Sequence, residues 1–163
     1  MVTPTAASNR LIRQLTDADL DRVIDIDRVR SGHSRRHFLE KRFATAKAHP
    51  NDFIHVGVST DGVLQGFAIA RIQRGEFGHK QAVAVLDALG IDEGSGEGGL
   101  GQALMEGLIE TSARIGVRSL QSQVDWTRLD LLRFFNIARF RLAPRIDLER
   151  SVTELREDAS EEI

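Results

Sequence analysis

The feature that most limits the fold of this 163-residue chain is an apolar segment that runs into a glycine-rich turn and then into a helical pattern. The segment AVAVLDALGI, residues 82–91, is almost continuously apolar, which predicts a strand covered on both faces. Six glycines lie between positions 90 and 101, and leucines four residues apart at Leu100, Leu104 and Leu108 then predict a helix. This order predicts an α/β unit in which the unpaired N–H groups of the helix start face the turn.

The segments on either side place this unit in a mixed sheet. A short strand (10–15), two helices (16–30 and 34–49) and a hairpin of two strands around the turn TDGV (52–59 and 63–74) precede it. A strand (117–126), a helix (127–139) and a terminal strand (140–152) follow it. We therefore expect an α/β fold with a mixed, mostly antiparallel central sheet and helices on both faces. A single domain is expected over 10–150, between a loose N-terminus (1–9) and an acidic tail (151–163).

The composition excludes several classes of function. With 22 basic and 24 acidic residues the net charge is −2, so no overall field favours nucleic acid or an anionic membrane surface. The chain has no cysteine, which excludes a thiol nucleophile, disulfides and cysteine-based zinc sites and fits a cytoplasmic location. No apolar run approaches the roughly 20 residues of a membrane span, and the five histidines show no metal-ligand spacing. We expect no metal.

A glycine turn at the start of a helix suits a phosphate, because free N–H groups and the helix dipole both favour an anion there. A nucleoside triphosphate loop would need Lys and Ser or Thr after Gly101, where the chain has Gln102 and Ala103. Gly94, Gly96 and Gly99 match the dinucleotide pattern G-x-G-x-x-G. That pattern belongs to the first strand of a repeated βαβ array, whereas an antiparallel meander precedes it here. The turn is also compatible with the pyrophosphate of coenzyme A, and with a flexible connection that binds no ligand at all.

The segments AVAVLDALGID, GSGEGGLGQALM, VRSLQSQVDW and LLRFFNIARF, in this order, resemble the core of the GNAT superfamily of acyl-CoA N-acyltransferases. The resemblance covers roughly residues 10–150. It implies an acetyl-CoA cosubstrate lying between splayed fourth and fifth strands. It also implies that its pantetheine pairs with the backbone of Leu89 and Ile91 and that N–H groups from Glu97 to Gln102 hold the pyrophosphate. The cofactor-binding residues it implies are Leu89, Gly90, Ile91, Glu97, Gly98, Gly99, Leu100, Gly101, Gln102, Arg128, Arg133 and Phe135.

The chain departs from the family pattern at three places. Gly96 occupies the position of the loop's Arg or Gln, and the loop carries Glu93 and Glu97 without a basic residue, which should weaken pyrophosphate binding. Phe135 occupies the position of the tyrosine that protonates the leaving thiolate in many members, and the chain has no tyrosine. Arg139 stands where the family has a glycine before the last aromatic residue.

Acetyl transfer to an amine needs a base, and three acidic residues are candidates. Asp87 lies within the apolar strand, and strand alternation places it on the same face as Leu89 and Ile91. A carboxylate there is costly unless it is paired or used. Glu76 lies in the loop before that strand, and Asp125 ends the fifth strand, with a solvated loop and a helix cap as the competing roles. Together these carboxylates would make the acceptor end acidic and suited to a cationic amine.

The expected activity is N-acetylation of a primary amine, on a small molecule or a peptide, by direct attack on acetyl-CoA. Direct attack is expected because no cysteine can carry an acyl intermediate. The competing hypotheses are a non-catalytic acyl-CoA-binding or regulatory module and a fold retained for protein contacts. A homodimer is compatible with the family, although the sequence marks no interface.

Overall fold

The computed structural model describes residues 9–75, 81–96 and 98–152, and within them one five-stranded sheet runs through the molecule in the order β1-β2-β3-β4-β5. Neighbouring strands from β1 to β4 pair antiparallel, and β5 pairs parallel to β4. The prediction of a mixed, mostly antiparallel sheet is confirmed. The strands are β1 (Arg10–Gln14), β2 (Phe53–Thr60), β3 (Val63–Gln73), β4 (Val83–Ile91) and β5 (Ser119–Gln121).

Helices cover both faces of this sheet, as predicted. One face carries α1 and α2, whose buried side chains include Val23, Leu39 and Phe43, and the other carries α3 and α4. A single 3-10 turn at Asp17–Asp19 leads into α1, and Gly32 in the left-handed region (φ 73°) ends it. The helices are α1 (Leu20–Ser31), α2 (Arg36–Ala48), α3 (Leu100–Arg114) and α4 (Leu129–Ile137).

Strand alternation divides the apolar residues between two cores. Ile54, Val56 and Val58 of β2 face α3, as their spacing predicts, and pack with buried leucines of that helix. Phe67 and Ile69 of β3 point to the opposite face and pack against α1 and α2. Because both faces of the central strands are covered, the sheet is a rigid base from which loops and helix ends can present functional groups.

A β-bulge interrupts the pairing of β4 with β3. Ala70 pairs with Leu86 and Ile69 with Ala88, so Asp87 is an extra residue without a partner on β3. Leu89 and Ile91 pack against the core under α3 and α4, whereas the Asp87 carboxylate meets Arg42 of α2 on the other face. The sequence pattern predicts one shared face for Asp87, Leu89 and Ile91. That prediction is wrong because the bulge reverses the alternation.

The structure also corrects the end of the chain. The predicted strand over 117–126 is paired only at Ser119–Gln121, and residues 140–152 form no strand. Pro144 has no N–H to donate, and the Arg145 N–H bonds to the Ala143 carbonyl instead. The apolar residues whose alternation predicts the terminal strand are exposed: Leu142, Ile146 and Leu148.

Candidate active site

A cleft opens where β4 and β5 separate. The two strands pair over three residues, from Val83 with Ser119 to Val85 with Gln121, and then diverge. The divergence leaves a cavity of about 360 Å³ between the second half of β4, the segment after β5, the end of α1 and the inner side of α4. The lining side chains include Asp27, Arg30, His33, Asp87, Arg128 and Phe135.

One backbone edge of β4 faces this cleft without a strand partner. The Asp92 N–H donates to the Gln65 carbonyl at 2.7 Å, so Asp92 turns its backbone towards the chain at the start of β3. Backbone direction alternates along an antiparallel strand, so the N–H and C=O groups of Leu89 and Ile91 point the opposite way, towards the gap. These are the groups that an extended ligand could pair with as an added strand.

The glycine turn folds tightly between β4 and α3. Gly96 (φ 66°) and Gly99 (φ 77°) adopt left-handed conformations that other residues rarely reach. The Asp92 carboxylate accepts a hydrogen bond from the Gly94 N–H at 2.9 Å and pairs with Arg22, which holds the start of the turn. Gly99 caps α3, whose first N–H groups, at Leu100 to Gln102, have no partner inside the helix. Glu97 lies outside the described residues.

Two glycines of the turn have different surroundings. A Cβ at Gly101 would lie 2.9 Å from the Phe134 ring, so this glycine is required for the contact between α3 and α4. A Cβ at Gly98 would meet no atom within 4 Å. Gly98 therefore lies on an open surface where a ligand can approach the backbone.

A basic residue reaches the turn from a distant part of the sequence. Arg10 of β1 donates from Nη2 to the Gly98 carbonyl at 2.9 Å. Of the two arginines that the family resemblance suggests, Arg128 lines the cleft, whereas Arg133 is exposed on α4 away from the lining side chains described. Sequence reasoning misses Arg10 because 88 residues separate it from Gly98 and no local pattern links them.

The aromatic residue in the family's tyrosine position forms part of the cleft. Phe135 is buried, lines the cleft and packs edge-on against Phe134 and Phe140, at 5.4 Å and 4.8 Å between ring centres. It gives the cleft an apolar wall without a proton donor. Arg139, in the family's glycine position, has φ 63°, so the backbone keeps the left-handed conformation that a glycine would adopt freely.

Asp87, the first candidate base, is held by arginines. Both of its carboxylate oxygens accept from Arg71 Nε, at 2.8 Å and 2.9 Å. Arg42 Nε lies 3.0 Å from Oδ2, within ion-pair range, although its N–H does not point at the carboxylate. The Asp87 side chain is only 6% exposed. The Asp87 carboxylate is therefore committed to ion pairs within the fold.

The other two candidate bases lie elsewhere. Asp125 is exposed in the turn before α4, and its Oδ1 accepts from the Thr127 N–H at 2.8 Å and from the Thr127 hydroxyl at 2.7 Å. These hydrogen bonds lower the pKa of Asp125, which makes it a weaker base. Asp125 closes a turn before α4, whose N-cap residue is Arg128, so it shapes the approach to the helix without capping it. Glu76 lies outside the described residues.

Sequence reasoning misses four cleft residues that come from the end of α1 and the connection to α2. They are Asp27, Arg30, His33 and Arg35. Asp27 is buried and forms two hydrogen bonds with Arg35, one of them at 2.9 Å from Nε to Oδ2. The His33 ring nitrogen Nδ1 lies 2.9 Å from the Ser31 carbonyl. A carbonyl oxygen can only accept a hydrogen bond, so Nδ1 must be the ring nitrogen that carries the proton. In the neutral ring, Nε2 is then the nitrogen that can accept a proton.

No cluster of three or more His, Asp or Glu side chains within 9–75, 81–96 and 98–152 could hold a metal ion. No helix in the same ranges has the length and hydropathy to cross a membrane.

Comparison with solved structures gives the same fold at low identity. A transcriptional regulator from Bacillus halodurans C-125 is 17% identical, with a TM-score of 0.73 over 88% of this chain and 99% of that one. Aminoglycoside N-acetyltransferase AAC(6')-Iy in complex with CoA is 16% identical, with a TM-score of 0.73 over 93% and 99%. Glucosamine-6-phosphate N-acetyltransferase from Arabidopsis thaliana is 13% identical, with a TM-score of 0.66 over 88% and 99%.

Comparison by sequence identifies the family. No curated protein matches the chain. The sequence model described as the acetyltransferase (GNAT) family matches residues 12–137, which is more than half of the chain and contains the glycine turn, the cleft and α4. The chain therefore belongs to the GNAT acetyltransferase family and is an acyltransferase.

Proposed function

We propose that the protein transfers the acetyl group of acetyl-CoA to a primary amine of a small molecule or peptide by direct attack. The observation that carries this proposal is the divergence of β4 and β5, which leaves the Leu89 and Ile91 backbone facing a cleft beside a glycine turn. A peptide-like ligand can pair with that edge, and an anion can bind at the turn.

The residues present fit acetyl-CoA. Leu89 and Ile91 would pair with its amide groups, the open backbone at Gly98 would approach the pyrophosphate, and Arg10 beside Gly98 supplies positive charge that the turn itself lacks. Arg128 also lines the cleft, where Asp130 holds its guanidinium through two hydrogen bonds. When bound, acetyl-CoA supplies an activated carbonyl carbon with a thiolate leaving group.

The chain's own groups would act on the amine and on the developing charge. A C–N bond forms as the C–S bond breaks, so the amine loses a proton and the thiolate leaves with the electron pair. We propose His33 Nε2 as the acceptor of that proton. The Ser31 carbonyl accepts a hydrogen bond from Nδ1, which leaves Nε2 able to take up the proton. An N–H of the unpaired β4 edge would stabilise the oxyanion. Phe135 gives no proton, and a thiol pKa of about 8.5 lets the thiolate leave and collect one from water.

Binding is tested first, by calorimetric titration of acetyl-CoA into wild type, Gly98→Glu and Gly98→Gln. Both side chains fit the open space at Gly98, but only glutamate adds negative charge beside the pyrophosphate site. We expect Gly98→Glu to weaken binding about tenfold or more and Gly98→Gln to change it far less. Equal affinities in the two variants would place the pyrophosphate elsewhere. No binding to wild type at millimolar ligand would refute the proposal.

Turnover separates the enzyme from a non-catalytic acyl-CoA-binding module. Release of free CoA thiol is measured with a panel of primary amines, and His33→Gln is compared with His49→Gln, a change at an exposed histidine after α2. We expect His33→Gln to lower kcat about 10²- to 10⁴-fold without changing acetyl-CoA affinity, and His49→Gln to resemble wild type. Tight acetyl-CoA binding without thiol release from any amine would favour the binding module.

A further inference from the structure

The carboxylates of the cleft are already neutralised by arginines. Asp27, with a side chain only 3% exposed, is bound by Arg35 through two hydrogen bonds. Asp87 is bound by Arg71 and lies beside Arg42. Neither acid has a free charge to offer a cationic amine. The expectation of an acidic acceptor end is therefore not supported by the described residues.

Positive charge is in excess around Asp87, a residue that lines the cleft. Asp87 carries one negative charge against the two positive charges of Arg71 and Arg42. Arg42 also has a buried Nε without a hydrogen-bond partner, and its guanidinium stacks 5.2 Å from the Phe38 ring centre and 5.9 Å from that of Phe53. The aromatic rings hold this cation in place, so Arg42 cannot simply turn away into solvent.

Arg30 is the cleft-lining arginine with the weakest partner. Its side chain is 28% exposed and, within the part of the chain that the structure describes, makes no hydrogen bond. Its ion pair with Glu93 spans 4.0 Å, and the Glu93 side chain is 75% exposed, so water screens it. Arg128, on the opposite wall, is instead engaged by Asp130 through two hydrogen bonds of 3.1 Å and 2.9 Å.

We propose that the acceptor amine carries an anionic oxygen group, a phosphate or a carboxylate, and that Arg30 binds it. This inference rests on the proposed function. A guanidinium presents paired N–H donors that match the oxygens of either group. Arg30 and His33 both come from the end of α1 and its connection to α2, so one wall would hold the anion and receive the amine proton. A polycationic amine would meet the excess positive charge and be disfavoured.

Matched amine pairs test the proposal and separate the two anions. Glucosamine 6-phosphate is compared with glucosamine, and lysine with lysinamide, and an aminoglycoside serves as the polycation, measuring kcat/KM by CoA thiol release. We expect at least one anionic amine to exceed its uncharged match about tenfold or more. The pair that shows the larger ratio identifies phosphate or carboxylate as the recognised group. Preference for glucosamine, lysinamide or the aminoglycoside would overturn the proposal.

Variants on one helix assign the preference to a residue. Arg30→Gln should remove most of the ratio between the anionic and uncharged amines, mainly through KM, and Arg30→Lys should restore part of it. Arg28→Gln is the matched control, because Arg28 lies on the same helix, is exposed and pairs with Asp25 at 3.9 Å. If Arg30→Gln leaves the ratio of kcat/KM between anionic and uncharged amines as unchanged as Arg28→Gln does, Arg30 does not bind the anion.

A binding measurement distinguishes failure of this inference from failure of the proposed function. Glucosamine 6-phosphate and lysine are titrated into the CoA-saturated protein and its Arg30→Gln variant. Binding of either ligand that depends on Arg30, without turnover of any amine, would support the anion site while the enzymatic proposal failed. Turnover of uncharged amines with no Arg30-dependent binding would refute the anion site while the enzymatic proposal stood.

Discussion

The two faces of the sheet are stabilised in different ways. Under α1 and α2, buried carboxylates pair with arginines, as in Asp27 with Arg35, and the half-buried histidine His55 packs between aromatic rings. Under α3 and α4, leucines fill the core, and a Cβ at Gly107 would come within 2.5 Å of Ile12. The first face should respond to pH and charge, whereas the second should respond to side-chain volume.

The largest expected effect is on the apolar face. Leu104 is fully buried at the centre of the core under α3, so Leu104→Ala should lower the free energy of unfolding by about 2–5 kcal/mol. Chemical denaturation at pH 6 and pH 8 measures it. The loss should be equal at both pH values, since no titratable group is removed. A loss that depends strongly on pH would break the distinction between the faces.

A similar loss, of electrostatic origin, is expected on the other face. Arg35→Leu leaves the Asp27 carboxylate buried without its partner and should cost about 3 kcal/mol, measured by the same denaturation. The double change Asp27→Leu with Arg35→Leu should recover most of that loss. Arg36→Leu is the control, because Arg36 is exposed and its ion pairs with Asp21 and Glu40 contribute little. An equal loss in both single variants would contradict the argument.

Acid should weaken the ion pair between β1 and the turn before α1. Hydrogen bonds from Arg13 lower the pKa of the Asp19 carboxyl from 3.8 to about 2, against the opposing effect of burial. A lowered pKa stabilises the fold fully above 3.8, and the stabilisation is lost as the pH falls through about 2. The contribution should be about 2 kcal/mol. Arg13→Gln should remove most of this dependence, and Asp21→Asn, at an exposed carboxylate, should leave it intact.

The smallest expected effect concerns His55. Burial lowers the pKa of His55 from 6.5, so the folded protein keeps the ring neutral while the unfolded chain takes up a proton. Stability is therefore full above pH 6.5 and falls below it, by at most about 1.4 kcal/mol per pH unit for one proton. His55→Phe should reduce the pH dependence of the free energy of unfolding between pH 5 and 7, measured by chemical denaturation. His37→Gln is the control and should leave the pH dependence as in wild type. If His55→Phe also leaves it unchanged, the pH dependence belongs to another group.

Local signals in the sequence predict much of the fold. The turn TDGV forms its hairpin because Asp61 and Gly62 adopt φ 51° and 83°, conformations that these residue types tolerate. The apolar strand before the glycines and the leucine spacing after them predict β4 and α3. Phe135, on the helix that follows the fifth strand, lines the cleft. In each case the physical cause lies within a few residues along the chain.

The candidate site is less predictable because it depends on distant contacts and on one irregularity. The bulge at Asp87 reverses the side-chain alternation, and nothing in the alternating pattern marks the extra residue. Arg10, Arg30 and His33 reach the site from β1, the end of α1 and the connection to α2, far along the chain from the glycine turn. The strand predicted over 140–152 does not form. Alternation indicates only a preference for extended structure, and a strand also needs a neighbour with which to pair.

The separation of β4 from β5 also bears on solubility. A strand with unpaired N–H and C=O groups is normally a template for another chain, and proteins protect such edges by covering or charging them. Here the unpaired edge of β4 lies inside the molecule, between the end of α1 and α4, and charged side chains line the approach. An edge placed in this way is protected from pairing with the sheet of another molecule.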